Sequence, residues 1–459
     1  MAKDTPHQTH YTRQIHHLLA QVYGRSAVKD SLLDRAIGYF EQEEFTPSEE
    51  KTSSEESQLK LMERTERHAS LLTISLTIIE LAEGENYAEN NRKSAQFLGT
   101  IQLLSPTEGK RVAKSNEQCK SIYKALLCLR LLDRLILDGQ MREPYINKFL
   151  TDITAEQFID FANHDAKKYQ RFVAQVKVPL VMAALLQDIG NYHPKAQTIL
   201  FGVDGKLDPF RTLEIKQRKE LLQINYRETI KYITEGIGIP TFVGNTKAER
   251  EQFLVDEKGK LAFIKHLLKS SVNPKNTIGN ILKVPQIYTS IILSTKASYN
   301  YKLLPKVFQV LNKNAEIGAC AQSVVDALYK ITGMFPQGFG IVYMPLGQLW
   351  EQGDCYEYAI VNRLYPKNPE QPNCRMTTRQ LTFIGYGQNC VVKSSSNLYF
   401  TQTAKKLATL SKERLNEILE LLSSNSQERQ QLDLLPRCWH ANEYFSIKVN
   451  QNLWNNIES

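Results

Sequence analysis

The sequence predicts a mainly α-helical protein with a small β-rich region near its C-terminal end. Apolar residues recur at helical spacing from about residue 10 to residue 331, short β-rich runs broken by Gly, Pro and Asn follow between 336 and 400, and one more helical pattern covers 405–422. We therefore expect a helical N-terminal region over 1–150, a helical bundle over 151–335, and a β-rich appendage with a final helix and tail over 336–459.

The N-terminal region is predicted to be helical wherever its apolar residues recur at helical spacing. Between residues 10 and 39, the apolar residues Ile15, Leu18 and Val22 lie on one helical face, and residues 59–83 and 121–137 carry two further helical patterns. The acidic, serine-rich stretch 41–58 has little to bury, so we expect a solvated linker or loop there. We interpret the region as an input, interaction or dimerisation module, and no catalytic group is evident in it.

The residue pattern changes from helical to β-rich after residue 335. The runs GFGIVYMPLG, CYEYAIVNRLYP, MTTRQLTFIGYG and NCVVKSSSNLYF are typical of short strands separated by turns. The tail LLPRCWHANEYF is rich in aromatic residues and is expected to pack against the rest of the protein. We interpret this region as an appendage that is not a separate enzyme.

Composition narrows the class of protein. Hydrophobic residues make up 42% and charged residues 23% of the 459 residues, no apolar run reaches the ~20 residues of a bilayer span, and the first residues lack a secretory core. The seven cysteines have no Cys-x-x-Cys spacing, which favours reduced thiols. A net charge of +8 without a dense basic stripe does not indicate nucleic-acid binding. We therefore expect a cytoplasmic protein with no membrane span.

Four segments in the bundle region carry a family resemblance. They are VPLVMAALLQDIGNYHP (178–194), LDPFRTLEIKQRKELLQINYRETIKYI (207–233), NTIGNILKVPQIYTSIILSTKASYNYKLLPKVFQVL (276–311) and QSVVDALYKITGMFPQGFGIVYMP (322–345). In this order they resemble the helices of HD-GYP domains, which belong to the HD-domain phosphohydrolase superfamily. The resemblance implies a helical bundle and bacterial cyclic di-GMP signalling.

The same resemblance implies that the metal site is degenerate. Members of the family hold two or three iron, manganese or similar ions with histidines and carboxylates, and the metals activate water for attack on cyclic di-GMP. At the matched positions this chain has Gln187, Ile224 and Gln286, and only Asp188 is retained. Because an amide oxygen is a weaker ligand than a carboxylate or an imidazole, we expect no cofactor and no catalytic residues.

Three other features are weaker candidates for a remnant of that site. The sequence GIGIP at 236–240 imitates the family's GYP motif, but no His-His-Glu precedes it, and it is more typical of an ordinary glycine-rich turn. His193 and His266 are weak candidates, together with Asp188, for a rewired metal site. An isolated histidine beside an apolar helix is more often a packed or surface residue than a ligand.

Three functions are therefore compatible with the sequence. The first is a non-catalytic regulatory pseudoenzyme that acts as a scaffold or sensor for other cytoplasmic proteins, with a homodimer among the arrangements it allows. The second is a cyclic di-GMP receptor that does not hydrolyse its ligand, for which the candidate contacts are Asn191, Arg218, Tyr288, Lys296 and Lys302. The third is a phosphodiesterase with unorthodox metal ligands. The sequence leaves enzymatic activity undecided and favours its absence.

Overall fold

A computed structural model describes residues 7–24, 27–45, 54–274, 277–345, 354–422 and 433–455. Within them the protein is mainly helical and has a small sheet region towards the C-terminal end, as the sequence predicts. The predicted acidic linker (41–58) is described only at its ends, which continue the flanking helices, and residues 46–53 lie outside the described ranges.

The described residues before position 140 form five helices: α1 (His10–Tyr23), α2 (Leu32–Phe45), α3 (Ser54–Ala82), α4 (Tyr87–Leu104) and α5 (Val112–Leu137). Helix α1 begins where the Thr9 side chain accepts a hydrogen bond from the Thr12 amide, which satisfies one of the free donors at the helix start. Its buried residues include Ile15, Leu18 and Val22, which form the predicted face. Helix α5 is the central helix, because it packs against α4 and against the later helices Val178–Leu186, Thr277–Ile292 and Gln322–Thr332.

The middle of the chain is a succession of helices. They are α6 (Pro144–Asn147), α7 (Ala155–Ile159), α8 (Phe161–His164), α9 (Ala166–Phe172), α10 (Val178–Leu186), α11 (Pro194–Phe201), α12 (Ile215–Lys231), α13 (Lys247–Val272), α14 (Thr277–Ile292), α15 (Val307–Glu316) and α16 (Gln322–Thr332). Two π-helical segments, Val173–Lys177 and Tyr232–Ile237, and two 3₁₀ turns, Ile189–Tyr192 and Tyr301–Lys306, lie among them. The GIGIP sequence ends the second π-helical segment, with Gly238 at a φ of +59°.

The described part of the C-terminal region contains a four-stranded antiparallel sheet in the order β1-β2-β3-β6, a two-stranded β4-β5 ladder and three short helices. The strands are β1 (Gly340–Tyr343), β2 (Glu357–Val361), β3 (Asn373–Met376), β4 (Thr378–Arg379), β5 (Thr382–Phe383) and β6 (Asn389–Val391), and the helices are α17 (Thr401–Leu407), α18 (Lys412–Leu422) and α19 (Asn442–Ser446). A last 3₁₀ turn covers Lys448–Gln451. The aromatic tail packs back on the sheet, since the Trp439 ring stacks on Tyr358 at 4.7 Å.

One continuous hydrophobic core extends through all three predicted regions, from Ile15 to Trp454, and a smaller cluster lies beneath α18. The N-terminal and C-terminal parts touch directly, because the Asn442 side chain donates to the main-chain oxygens of Leu103 and Ser105, each at 2.7 Å. The predicted boundaries near residues 150 and 335 therefore do not separate hydrophobic cores.

A group of charged side chains is buried inside this core. The Glu83 carboxylate accepts hydrogen bonds from Lys177 at 2.7 and 2.8 Å, from Arg130 at 2.5 Å and from the Tyr169 hydroxyl at 3.0 Å. Arg130 also lies 2.8 Å from Asp133. The four charged side chains are at most 4% exposed. Two cations thus balance two anions, as burial of charge requires. We call this group the buried ionic cluster.

One helical run, Ala166–Tyr192, is long and apolar enough to cross a bilayer. Its apolar window is 83% buried inside the fold, which is typical of a core helix in a globular protein. This helical run is longer than the apolar run of the sequence, because the π-helical segment Val173–Lys177 joins α9 to α10 and the 3₁₀ turn Ile189–Tyr192 follows α10. The described residues contain no clear membrane span.

Candidate functional site

A cavity of about 390 Å³ lies where α5, α11 and α14 meet the turn after α10. Helix α5 contributes residues at the spacing of a single face, and α14 contributes residues from its last two turns. The residues that line the cavity are Tyr23, Glu117, Lys120, Ser121, Lys124, Leu185, Asp188, Asn191, Tyr192, Gln197, Leu200, Phe201, Pro209, Phe210, Gln286, Thr289, Ser290 and Thr295. We call it the α5–α14 cavity.

Asp188 is held at the wall of this cavity by two side chains. The Lys124 ammonium lies 2.8 Å from its Oδ2 atom, and the Gln286 amide donates to Oδ1 at 3.1 Å. Lys124 is 4% exposed, whereas Asp188 is 43% exposed. Burial raises the pKa of Asp188, but the charge and hydrogen bond of Lys124, with help from Lys120 and Gln286, outweigh it and leave the pKa below its ordinary value. Asp188 is therefore an ionised carboxylate paired with a lysine.

The turn that carries Asp188 is fixed by its contact with α12. The Gly190 amide donates to the Thr229 hydroxyl at 3.0 Å, and the Asn225 side chain donates to the Gln187 main-chain oxygen at 3.2 Å. A Cβ atom at Gly190 would lie 2.3 Å from the Asn225 main-chain oxygen, so only glycine allows this approach. The turn is thus positioned by backbone packing and needs no metal ion to hold it.

Of the other residues matched to the family's metal positions, Gln286 lines the cavity, whereas Gln187 and Ile224 do not, and neither does the weaker candidate His193. Gln187 is buried and donates to the Ser271 hydroxyl at 3.4 Å, and Ile224 is buried on the inner face of α12. His193 caps α11 by accepting from the Lys195 amide at 3.2 Å. These side chains serve packing and capping roles in the structure.

The remaining histidine candidate is also separate from the cavity. His266 is 48% exposed and lies 3.4 Å from Glu143. Among the described residues, no group of three or more His, Cys, Asp or Glu side chains is arranged to hold a metal ion. Since the Asp188 carboxylate is already neutralised by Lys124, the side chains at this turn do not fit a divalent metal.

The five ligand candidates from the sequence lie in four places. Asn191 lines the α5–α14 cavity. Lys296 donates to the main-chain oxygens of Phe210 and Arg211, at 3.1 and 2.9 Å, and so fixes a segment that forms one wall of the cavity. The other three candidates do not line the cavity: Tyr288 is fully buried against Phe308, Arg218 lies in a separate groove on α12, and Lys302 is exposed near the C-terminal region.

Helix α5 supplies cavity residues that the sequence analysis missed. Lys120 is paired with Glu117 at 2.9 Å and also lies 3.3 Å from the Thr295 hydroxyl. Lys120, Ser121 and Lys124 come from a region interpreted as an interaction module. The spacing of Lys120 and Lys124, four residues apart on one helical face, was visible in the sequence, but it is equally typical of a solvated face.

Two buried hydroxyl groups face this cavity without a partner. Ser121 is 5% exposed and Thr289 is 2% exposed, and neither hydroxyl has a hydrogen-bond partner among the described residues. Buried polar groups are nearly always paired, so an unpaired hydroxyl beside a cavity is suited to a hydrogen bond with a polar ligand. The cavity is therefore prepared for a polar occupant.

Cations are concentrated beside the cavity. Burial lowers the pKa of Lys283 and of Lys296, and for Lys296 the nearby charges of Lys120 and Arg218 lower it further. The two lysines in the lining, Lys120 and Lys124, are each paired with a carboxylate, so the excess of positive charge near the cavity comes from Lys283, Lys296 and Arg218. The aromatic walls, which include Tyr23, Tyr192 and Phe210, complete a surface suited to an anionic ligand with an apolar part.

No family model matches the chain, and no curated protein or solved structure is significantly similar to it.

Proposed function

We propose that this chain is a non-catalytic bacterial regulatory protein built on a degenerate HD-GYP-like bundle, in which the α5–α14 cavity senses a small anionic ligand. The observation that carries the proposal is the Lys124 ammonium, 2.8 Å from Asp188 in the wall of a 390 Å³ cavity. The Lys124 ammonium provides, next to Asp188, the positive charge that a bound metal ion would otherwise provide. The carboxylate is thereby unavailable for metal-assisted hydrolysis, while the cavity stays open.

The cavity walls support the sensing role. Two unpaired hydroxyls, from Ser121 and Thr289, and the side chains of Lys120 and Asn191 offer hydrogen bonds that a ligand can complete. Because α5 belongs to the N-terminal region and also packs against α16, a ligand there contacts an element that joins several parts of the protein. The output of such a sensor is contact with another cytoplasmic protein or with a second copy of the chain.

A non-hydrolysing cyclic di-GMP receptor is the second candidate. Lys120 and the aromatic rings of Tyr23, Tyr192 and Phe210 favour it, since phosphates and bases are bound by cations and by stacking. A rewired phosphodiesterase is disfavoured by the separation of Asp188, His193 and His266, each of which has a different neighbour.

The test is calorimetric titration of cyclic di-GMP, its linear product and inorganic phosphate, with product chromatography in the presence of Mn²⁺. We expect at least one anion to bind without turnover and to stabilise the protein, by about 2.7 kcal/mol at a ligand concentration of 100 Kd. Thr289→Val should weaken binding, whereas Lys302→Gln, a matched exposed site outside the cavity, should not. Metal-dependent product would overturn the proposal, and so would the failure of all three anions to bind.

A further inference from the structure

The outer face of α12 carries an apolar groove that the fold does not use. Ile215, Leu222 and Tyr226 follow one another at seven and four residues along this helix, and Val272 at the end of α13 closes the groove. Its volume is about 440 Å³. Ile215 is 89% exposed, Leu222 58% and Val272 62%. Large apolar side chains grouped in this way on a surface mark a contact with a partner.

The inner face of α12 already provides the packing that the fold needs. Ile224, Asn225 and Thr229 are buried there, and the last two hold the turn that carries Asp188. Helix α12 therefore packs against the protein through one face and carries exposed apolar residues on another. The outer apolar residues are not required to attach the helix to the protein.

The charges that line the groove all have one sign. Arg218 and Lys219 are its charged residues, both are exposed, and neither side chain forms an ion pair within the described ranges. A basic rim around an apolar floor is complementary to a helix with apolar residues on one face and carboxylates beside them.

We propose that this groove is the docking site for an acidic amphipathic helix of a partner protein. Leucine or aromatic side chains of that helix fill the space between Leu222, Tyr226 and Val272, and its carboxylates pair with Arg218 and Lys219. The groove lies outside the α5–α14 cavity, so the docking proposal does not depend on what the cavity binds.

The test uses the full-length protein and a synthetic peptide of about five helical turns, with leucines on one face and glutamates on the other. An otherwise identical peptide with lysines in place of the glutamates is the charge control. We expect the glutamate peptide to bind in fluorescence anisotropy and the lysine peptide not to bind. Higher salt should weaken the binding, because the rim is exposed to solvent.

Protein variants then locate the binding site. Leu222→Ser should weaken binding about tenfold through lost apolar burial, and Arg218→Glu combined with Lys219→Glu should do the same through charge reversal. Val255→Ser, at a valine that is 65% exposed and outside the groove, is the matched control and should change nothing. All four positions are exposed, and circular dichroism verifies that each variant is folded.

Three outcomes would overturn the docking proposal. One is equal binding of the lysine peptide, and another is equal weakening by the control variant. The third is an absence of binding together with a dimer, seen by sedimentation, that Leu222→Ser dissociates. That last result would assign the groove to a second copy of this chain.

Discussion

Removal of one cation from the buried ionic cluster should destabilise the protein strongly. Lys177→Met leaves the carboxylates of Glu83 and Asp133 with Arg130 alone, at a site where the four charged side chains are at most 4% exposed. Breaking a buried ion pair costs about 3–5 kcal/mol, because the remaining charge has lost its partner but stays out of water. The folding equilibrium should therefore fall by two to nearly four powers of ten.

Urea denaturation followed by circular dichroism and tryptophan fluorescence measures this loss. The matched control is Lys247→Met. Lys247 is 90% exposed and lies 3.9 Å from Glu251, so its replacement should cost less than about 0.5 kcal/mol.

A double-mutant cycle tests the physical reason. Glu83→Gln combined with Lys177→Met restores a balance of charge, so the pair should cost less than the sum of the two single substitutions by about 1 kcal/mol or more. If the costs add within about 0.5 kcal/mol, or if Lys177→Met costs no more than Lys247→Met, the reasoning from charge balance is wrong.

Three further predictions concern the site. Lys124→Met should destabilise the protein at neutral pH. The pairing of ionised Asp188 with Lys124 stabilises the wild type fully above the unfolded pKa of 3.8, and this stabilisation is lost as the pH falls through the lower pKa of the folded state. The difference in unfolding free energy between variant and wild type should therefore become smaller in acid. A difference that does not depend on pH contradicts this reasoning. Thr289→Val should change the unfolding free energy of the ligand-free protein by less than about 1 kcal/mol, because its hydroxyl has no partner in the described ranges; a larger loss in urea denaturation would show a missed bond. Gly190→Ala should cost about 1–3 kcal/mol in the same assay, because its Cβ would meet the Asn225 main chain at 2.3 Å; an unchanged midpoint would refute that contact.

Helical spacing in the sequence predicted much of the mainly helical fold and failed where buried positions are polar. Helix α4 lies within the region that was predicted to be helical, but it was not singled out as a helix of its own, because its buried residues include Ser94, Thr100 and Gln102, which interrupt the apolar pattern. The single helix expected over 405–422 is two helices, α17 and α18, and Ser411 accepts a hydrogen bond from the Arg414 amide at the start of the second. Local polar bonds of this kind divide a helix without changing its periodicity.

The site was predictable only in part. Asp188, Asn191 and Gln286 came from short motifs, and all three line the α5–α14 cavity. Lys124 could not be recognised, because a lysine on a helix is ordinarily solvated and only tertiary packing brings it to a carboxylate 64 residues away. The sequence also did not show which faces of α12 and α14 point towards the cavity. Arg218 and Tyr288 were therefore candidates for ligand contacts, although neither lines the cavity.

The contact between α4 and the last aromatic residues constrains when the chain can finish folding. A Cβ at Gly99 would lie 2.5 Å from the Trp454 ring, so the two are in close contact across 355 positions of sequence (454 minus 99). Synthesis on the ribosome proceeds from the N-terminus at ~5–20 residues per second. The surface of α4 that receives Trp454 is therefore made about 20 to 70 seconds before Trp454 at those rates, so this part of the core can close only after nearly the whole chain has been synthesised.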